Sequence, residues 1–213
     1  MSSVIPSERR RGAARSPADA LVVFLHGLGA DGSDLLPLAD AFSSRLPRAR
    51  FASPDAPHLW GGTGPGREWF PIRSFAALEV FSGTRRAWPS LRTLIADERR
   101  SGERLVLAGF SQGAMMALYG VSRRDLGIDA VVSFAGCLLY AGGSGAGGFG
   151  AAPALLLHGE DDGVVPYSCL GLSAWNLRRV GHEVETVSES GLGHGISQAQ
   201  LERASEFLVE VLG

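Results

Sequence analysis

A serine flanked by glycines stands out in the segment 107–115, which reads LAGFSQGAM. The serine, Ser111, follows an apolar run that is typical of a buried strand, and the residues after it have helical composition. A sharp turn from strand to helix holds such a serine in a strained backbone conformation, and glycines at 109 and 113 avoid clashes with neighbouring elements. The pattern therefore predicts that Ser111 is a nucleophile rather than a helix-capping residue.

A serine hydroxyl needs a neighbouring base to accept its proton, and the base needs a third group that holds its tautomer. In a strand–turn–helix setting the acid and then the histidine follow the serine along the chain. Two histidines lie far enough downstream. His182 begins a predicted strand, where a packing role suits it, whereas His194 lies in a glycine-rich loop before the last predicted helix. We therefore assign the base to His194.

The acid is expected in the turn after a strand that lies between the serine and this histidine. Three adjacent carboxylates, Glu160, Asp161 and Asp162, follow the apolar run 154–157, and not all of them can orient the histidine. Asp162 is the preferred candidate, Asp161 is the alternative, and a purely solvated turn remains open. With His158 the cluster also resembles a cation site, but no second cluster with hard-ligand spacing supports a metal there.

Attack on an ester carbonyl places negative charge on its oxygen, which backbone N–H groups can stabilise. One donor is expected at Gln112, the residue after the nucleophile. The other is expected in the loop after an early strand, FLHGLGADGSD, where glycines let the backbone approach the site. We assign this second donor to Leu28 and expect Gly27 to border the substrate. His26 is expected to order the loop rather than to transfer protons.

Apolar runs predict the strands that must position these residues, at 21–25, 50–53, 104–108, 130–134, 154–157 and, less regularly, 182–187. They do not alternate apolar with polar residues, so both faces of the sheet should be covered. Helical spacing is found at 35–46, at 91–95 after Pro89, and at 201–211, where Ser197 and Gln200 have capping-box spacing. Alternating strands and helices predict an α/β chain with a mainly parallel, doubly wound sheet and chemistry beyond the carboxyl ends of its strands.

The length of 213 residues suits one core. We expect a flexible N-terminal tail over 1–18, including the arginines 9–11, and a single catalytic domain over 19–213. A hydrophobic fraction of 45% and a charged fraction of 20% exclude a disordered chain. The chain lacks an apolar run of membrane-spanning length and a signal-peptide pattern in its first twenty residues, so we expect a cytoplasmic protein without stable membrane insertion.

Charge and composition exclude several kinds of chemistry and partner. The formal net charge is −2 and the basic residues are scattered, so nucleic acid is not an expected partner. All 20 basic residues are arginine, which excludes an internal lysine Schiff base and the lysine of a phosphate-binding loop. Cys137 and Cys169 have no metal-ligand spacing and need not pair, so each is expected to be a small core residue.

Together these motifs resemble the phospholipase/carboxylesterase group of α/β-hydrolases, which includes bacterial carboxylesterases and acyl-protein thioesterases. The matching segments run in the family's order from about residue 20 to the C-terminus: LHGLG with Gly32, Trp69-Phe70, GFSQGA, HGEDDGVVP and Gly193-His194. The resemblance implies an α/β-hydrolase fold with a minimal cap and hydrolysis of esters or thioesters without a cofactor. It also supports Ser111, Asp162 and His194 as the triad.

The chain departs from the family in features that bear on the substrate. Pro71 follows Trp69-Phe70 where the family tends to carry an acidic residue, a glycine-rich stretch over 141–150 replaces a compact turn, and the opening strands are short or missing. We expect Trp60, Trp69, Phe70 and Phe75 to wall a shallow apolar cleft, the alternative being core or lid packing.

The expected partner is a small-molecule ester with a short to medium acyl chain. A lysophospholipid or an S-acylated protein is the alternative substrate, and a non-catalytic binding protein of the same fold is the alternative of another class. The sequence leaves the oligomeric state open, a homodimer included.

Overall fold

The apolar runs form one central sheet in the computed structural model, which describes residues 5–12, 17–62, 64–72, 77–140 and 150–213. The described strands are β1 (Arg10–Arg11), β2 (Ala20–Leu25), β3 (Ala49–Ala52), β4 (His58–Leu59), β5 (Arg67–Glu68), β6 (Arg104–Phe110), β7 (Ala130–Phe134), β8 (Ala154–Gly159) and β9 (Val184–Glu189). The central sheet has the order β1-β3-β2-β6-β7-β8-β9, and β4 and β5 form a separate hairpin. Every pairing in the central sheet is parallel except that of β1 with β3.

Side chains of the central strands alternate between two apolar cores, one on each face of the sheet. In β2, Leu21, Val23 and Leu25 belong to one core, whereas Ala20, Val22 and Phe24 belong to the other. Because both faces are covered, the strand carries no polar alternation, and the prediction of a mainly parallel, doubly wound α/β sheet is confirmed.

Helices cover both faces of the sheet. The described ones are α1 (Leu36–Ser43), α2 (Ala77–Glu98), α3 (Gln112–Arg123), α4 (Ser168–Arg179) and α5 (Gln198–Leu212). As the capping-box spacing predicts, Ser197 accepts a hydrogen bond from the backbone N–H of Gln200 at 3.1 Å. The prediction that Pro89 precedes its helix is wrong, because Pro89 lies inside α2 between buried residues on both sides, Val80 and Ile95. Within the described residues, no helix is long and apolar enough to cross a membrane.

The arginines 9–11 are fastened to the sheet. Arg10 and Arg11 form β1 beside β3, and the Arg10 guanidinium lies 2.7 Å from the Glu98 carboxylate. Arg9 forms ion pairs with Asp31 and Asp55 at 3.1 and 3.2 Å. The interpretation of these arginines as a frayed tail is therefore wrong, because carboxylates on four separate segments pair with them, Asp40 of α1 facing Arg11 at 3.7 Å. The single domain over 19–213 stays a prediction.

A buried ion-pair network closes this edge of the sheet, and removing one member should destabilise the protein. Arg50 donates to Glu103 Oε1 at 2.7 Å and to Glu98 Oε1 at 2.8 Å. Burial alone would raise the pKa of Glu103, but the hydrogen bonds from Arg50 and the Arg100 backbone hold it below the ordinary 4.5. A lowered pKa means that this stabilisation is present above about pH 4.5 and is lost as the pH falls further.

Glu103→Gln is therefore expected to lower the free energy of unfolding by about 3 kcal/mol at pH 7, because it leaves a buried guanidinium short of a partner. The difference from the native protein should shrink in acid. Urea denaturation at pH 7 and pH 4 measures both effects, with the exposed Glu160→Gln as the matched control. An equal loss of stability in the two variants would contradict the assignment.

Cys137 and Cys169 form a disulfide, with their Cα atoms 5.0 Å apart. Both are buried in the core, as expected, and they pair, which the sequence pattern left open. The two residues are separated by 32 positions and meet only because the segment after β7 packs against the start of α4. In the chain-entropy model, closing a loop of this length contributes about 3 to 4 kcal/mol to stability.

Candidate active site

Ser111 sits in the turn between β6 and α3 in a backbone conformation that side chains rarely adopt, with φ 52° and ψ −117°. The neighbouring backbone leaves room only for glycine at positions 109 and 113, two residues before and two residues after Ser111. A Cβ at Gly113 would lie 1.9 Å from the carbonyl oxygen of Leu25, and one at Gly109 would lie 2.5 Å from the carbonyl carbon of Gly113. The G-x-S-x-G pattern thus follows from close packing around a strained serine.

His194 connects Ser111 to Asp162 by two hydrogen bonds. Its Nδ1 lies 2.8 Å from Asp162 Oδ2, and its Nε2 lies 3.0 Å from Ser111 Oγ. Since an ionised carboxylate can only accept, Nδ1 carries the proton, and Nε2 is free to accept from the hydroxyl. The ring packs against Phe110, with centroids 4.8 Å apart. The structure therefore brings together three residues that come from distant parts of the chain.

Asp162 differs from the two carboxylates beside it because it alone is buried. Its Oδ1 accepts from the backbone N–H groups of Val164 and Val165 at 2.8 and 2.9 Å. Burial alone would raise the pKa of Asp162, but the hydrogen bonds from His194 and these two amides hold it below its ordinary value. The carboxylate therefore stays ionised and faces the imidazole, whereas Asp161 and Glu160 point to solvent.

His158 lies behind Asp162 and has no place in the sequence assignment of the site. Its Nε2 lies 3.0 Å from the Val165 carbonyl oxygen, which it can contact only as a donor, and 3.3 Å from Asp162 Oδ2. It therefore helps to hold the carboxylate. No cluster of three potential metal ligands occurs among the described residues, so the cation-site interpretation of this turn finds no support there.

Two backbone N–H groups near Ser111, those of Leu28 and Gln112, make no hydrogen bond to another described residue. The loop that carries Leu28 is held by the β4–β5 hairpin. Gly29 N donates to the Arg67 carbonyl at 2.9 Å, and Arg67 N donates to the Ala30 carbonyl at 2.9 Å. Both N–H groups are thus available to a ligand, and the hairpin holds the loop that carries Leu28 directly after that residue.

The side chain of Gln112 ties α3 to the segment after the hairpin. Its Oε1 accepts from the backbone N–H of Trp69 at 2.9 Å, and its Nε2 donates to the carbonyl of Phe70 at 2.7 Å. The indole Nε1 of Trp69 donates to the His26 carbonyl at 2.9 Å. Trp69 therefore links the loop of Leu28 to Gln112. The sequence motif predicts a role only for the backbone N–H of Gln112 and carries no signal for this side-chain connection.

His26 orders the start of the same loop. Its Nε2 accepts from the backbone N–H of Ala56 at 3.0 Å, so Nδ1 carries the proton and donates to the carbonyl of Gly27 at 2.8 Å. Burial lowers the pKa of His26, and its hydrogen bond to Gly27 and nearby carboxylates oppose this only in part. The ring is therefore neutral and engaged on both sides.

The residues expected to contact substrate fall into two groups. Gly27 borders Ser111, because a Cβ there would lie 3.6 Å from that of the serine. Trp60 is half-buried and covers Gly29. Trp69 and Phe70 are each only 2% exposed, so the interpretation of these two as cleft walls is corrected to a packing role. Phe75 and the glycine-rich residues 141–149 lie outside the described residues.

The mostly parallel sheet, with a serine at a strand-to-helix turn and His194 and Asp162 on later loops, defines the α/β-hydrolase fold. The chain belongs to the phospholipase/carboxylesterase family, whose model matches residues 12–212. This confirms the family resemblance drawn from the motifs. As a member of that family, the protein is an enzyme that hydrolyses ester bonds.

Curated and solved relatives agree with this assignment. Acyl-protein thioesterase 1 homolog 1 of Dictyostelium discoideum is 28% identical over 206 residues, covering 91% of each chain. The crystal structure of esterase PE8 has 32% identity and a TM-score of 0.86, covering 99% of this chain and 100% of that one. Acyl-protein thioesterase 2 of Zea mays, at 23% identity and a TM-score of 0.77 over 96% and 98% of the chains, shares the fold.

Proposed function

We propose that the protein is a serine carboxylesterase that works through an acyl-enzyme intermediate, with Ser111, His194 and Asp162 as its triad. The observation that carries the proposal is the hydrogen-bonded chain from Ser111 Oγ through the imidazole to the Asp162 carboxylate. Two N–H groups without a partner among the described residues, those of Leu28 and Gln112, lie beside it and supply the expected oxyanion hole.

The cycle begins when His194 Nε2 takes the proton of Ser111 as Oγ attacks the ester carbonyl. The N–H groups of Leu28 and Gln112 then donate to the carbonyl oxygen as it becomes negative. His194 returns the proton to the leaving alcohol, which departs and leaves the acyl group on the serine. Water then attacks the acyl-enzyme with His194 again as base, the bond between the acyl carbon and Ser111 Oγ breaks, and His194 returns the proton to Oγ as the carboxylic acid leaves. Asp162 stabilises the imidazolium in both halves.

Covalent labelling with a fluorophosphonate tests the proposal directly. Intact-mass spectrometry should show one adduct per chain, peptide mapping should locate it on Ser111, and Ser111→Ala should abolish it. Ser190→Ala, which changes an exposed serine in the loop before His194, is the matched control and should label normally. The absence of an adduct on the folded native protein would favour a non-catalytic binding protein of this fold.

We further propose that the enzyme prefers short to medium acyl chains, with a lysophospholipase or an acyl-protein thioesterase as the alternative. The small and half-buried residues at the site, Gly27 and Trp60, support this preference. A shallow cleft contacts only the first carbons of the chain, so longer chains gain nothing.

Rates on p-nitrophenyl esters of increasing chain length measure this preference. We expect kcat/KM to reach its maximum at or below about eight carbons, because each further methylene would add its roughly 0.8 kcal/mol only if the protein buried it. A steady rise of kcat/KM beyond about twelve carbons would contradict a short cleft, because it would mean that the protein buries the additional methylenes. Faster cleavage of a palmitoylated peptide thioester than of any short ester would favour the thioesterase.

The disulfide bears on the cellular location. The sequence predicts a cytoplasmic protein, but cytosolic thiols are kept reduced, so we propose that the Cys137–Cys169 pair matures in an oxidising compartment. Treating intact cells with N-ethylmaleimide before lysis tests the two locations. We expect neither cysteine to be alkylated until the protein is reduced. Two alkylated cysteines without reduction would restore the cytoplasmic prediction.

A further inference from the structure

A surface cavity of about 450 Å³ lies between α2 and α3, and neither the triad nor the expected oxyanion donors line it. Its inner side is aromatic: Trp88 and Tyr119 are each 4% exposed, and their rings lie 6.3 Å apart in an edge-to-face arrangement. Phe81 and Tyr140 continue this wall with ring centroids 5.2 Å apart. Tyr140 is 52% exposed, so the cavity has one ring that a ligand can reach from solvent.

Three arginines, Arg85, Arg92 and Arg123, surround these rings, and Asp125 is the carboxylate among the described lining residues. Asp125 is 4.0 Å from the Arg92 Nε and 3.8 Å from the Arg123 Nε, and it also accepts from the Trp88 indole at 3.1 Å. Within the described part of the chain, Arg85 forms no hydrogen bond or ion pair. The remaining residues of the sequence include no Asp or Glu, so they cannot neutralise it.

The phenol of Tyr119 lies where these charges converge. Burial raises the pKa of Tyr119, while the positive charges of Arg123 and Arg85 act in the opposite direction. The hydroxyl therefore stays protonated, with two guanidinium groups near enough to influence it. A ligand in the cavity would meet a neutral donor, a buried aromatic surface and an excess of two positive charges among the described lining residues.

We propose that this cavity binds a small phosphate monoester that carries an aromatic ring. A phosphate monoester has a charge of about −1.5 to −2 at pH 7, which matches the excess positive charge, whereas a carboxylate supplies only one charge. Guanidinium groups match the geometry of phosphate oxygens, and Arg85 has no competing partner among the described residues. Arg85 lies one helical turn after Phe81 on α2, so the ring of the ligand packs against Tyr140 and Phe81 while its phosphate meets the Arg85 guanidinium beside them.

Isothermal titration calorimetry with phenyl phosphate tests the proposal. Inorganic phosphate, which lacks the ring, and benzoate, which lacks the second negative charge, are the comparison probes. We expect one site per chain, with phenyl phosphate bound at least about tenfold more tightly than either probe, and an affinity that falls as sodium chloride is added. Ser111→Ala should bind equally well, because the cavity does not involve the hydrolytic site. Equal affinities for the three probes, or no heat of binding, would overturn the proposal.

Substitutions locate the site on the protein. Arg85→Ala is expected to weaken phenyl phosphate about tenfold to a hundredfold, in the range of a charged hydrogen bond, and Arg123→Ala should do the same. Arg86→Ala is the matched control, since Arg86 is the exposed neighbour of Arg85 on α2 and does not line the cavity. Circular dichroism confirms that each variant is folded. An unchanged affinity in folded Arg85→Ala, or an equal loss in Arg86→Ala, would place the ligand elsewhere.

Discussion

Replacing Ser111 with alanine is expected to lower kcat on a p-nitrophenyl ester by about 10⁴- to 10⁶-fold, because in the proposed mechanism Ser111 alone forms the acyl-enzyme bond. The KM should change little, since the N–H groups of Leu28 and Gln112 and the walls of the site remain in place. Steady-state kinetics on highly purified protein measure the loss. Residual activity then comes from substrate binding and the oxyanion donors alone.

Ser190→Ala is the matched control for this substitution and should keep the native kcat, because Ser190 is exposed in a loop and has no contact with His194 among the hydrogen bonds of the structure. A loss of less than about tenfold in Ser111→Ala, with native circular dichroism, would refute Ser111 as the nucleophile, since nucleophile removal costs several orders of magnitude.

Asp162→Asn is expected to lower kcat by about 10³- to 10⁴-fold, a smaller loss than that of the serine variant. The amide must direct its NH₂ group either at the Val164 and Val165 N–H groups or at His194 Nδ1–H. In either orientation the NH₂ group faces another hydrogen-bond donor. The imidazole must then rotate or change its tautomer to avoid this repulsion. Kinetic constants between pH 5 and pH 9 should show the loss at every pH, because the lowered pKa keeps the native carboxylate ionised throughout this range.

Asp161→Asn is the matched control, one residue away and exposed, and it should change kcat less than about threefold, as surface substitutions do. The opposite ranking of the two variants would move the acid to Asp161. Equal small effects would instead mean that His194 is oriented by the protein without a carboxylate.

The strands and the position of Ser111 follow from local sequence, because burial on both faces and close backbone packing each restrict residue type. Strand β2 must be apolar at every position to serve two cores, and Gly113 must be glycine to pass the Leu25 carbonyl. Since parallel strands end at one edge of the sheet, loops after β6, β8 and β9 had to converge there. For these reasons the sequence alone could predict that Ser111, Asp162 and His194 meet.

Contacts between distant segments could not be predicted in the same way. An aromatic pair such as Trp69 and Phe70 suits a cleft or a core equally well, and only the packing of His26 and α2 around it decides. The pairing of Cys137 with Cys169 depends on where α4 begins, and α4 itself went unrecognised in the sequence. Arg9, Arg10 and Arg11 have the composition of a solvated tail until their carboxylate partners are known.

The β4–β5 hairpin contributes no atom to the proposed reaction, yet the spacing of the two proposed oxyanion donors depends on it. It holds the Leu28 loop through Arg67, and the segment that follows it reaches Gln112 through Trp69. A larger residue at Gly66 would meet the Gly29 carbonyl, because a Cβ there would lie 1.9 Å from that oxygen. Laboratory evolution of new acyl specificities should therefore accumulate changes at the exposed positions of this hairpin. The hydrogen bonds of Arg67 and Trp69 should be retained, because they set the distance between the two proposed donors.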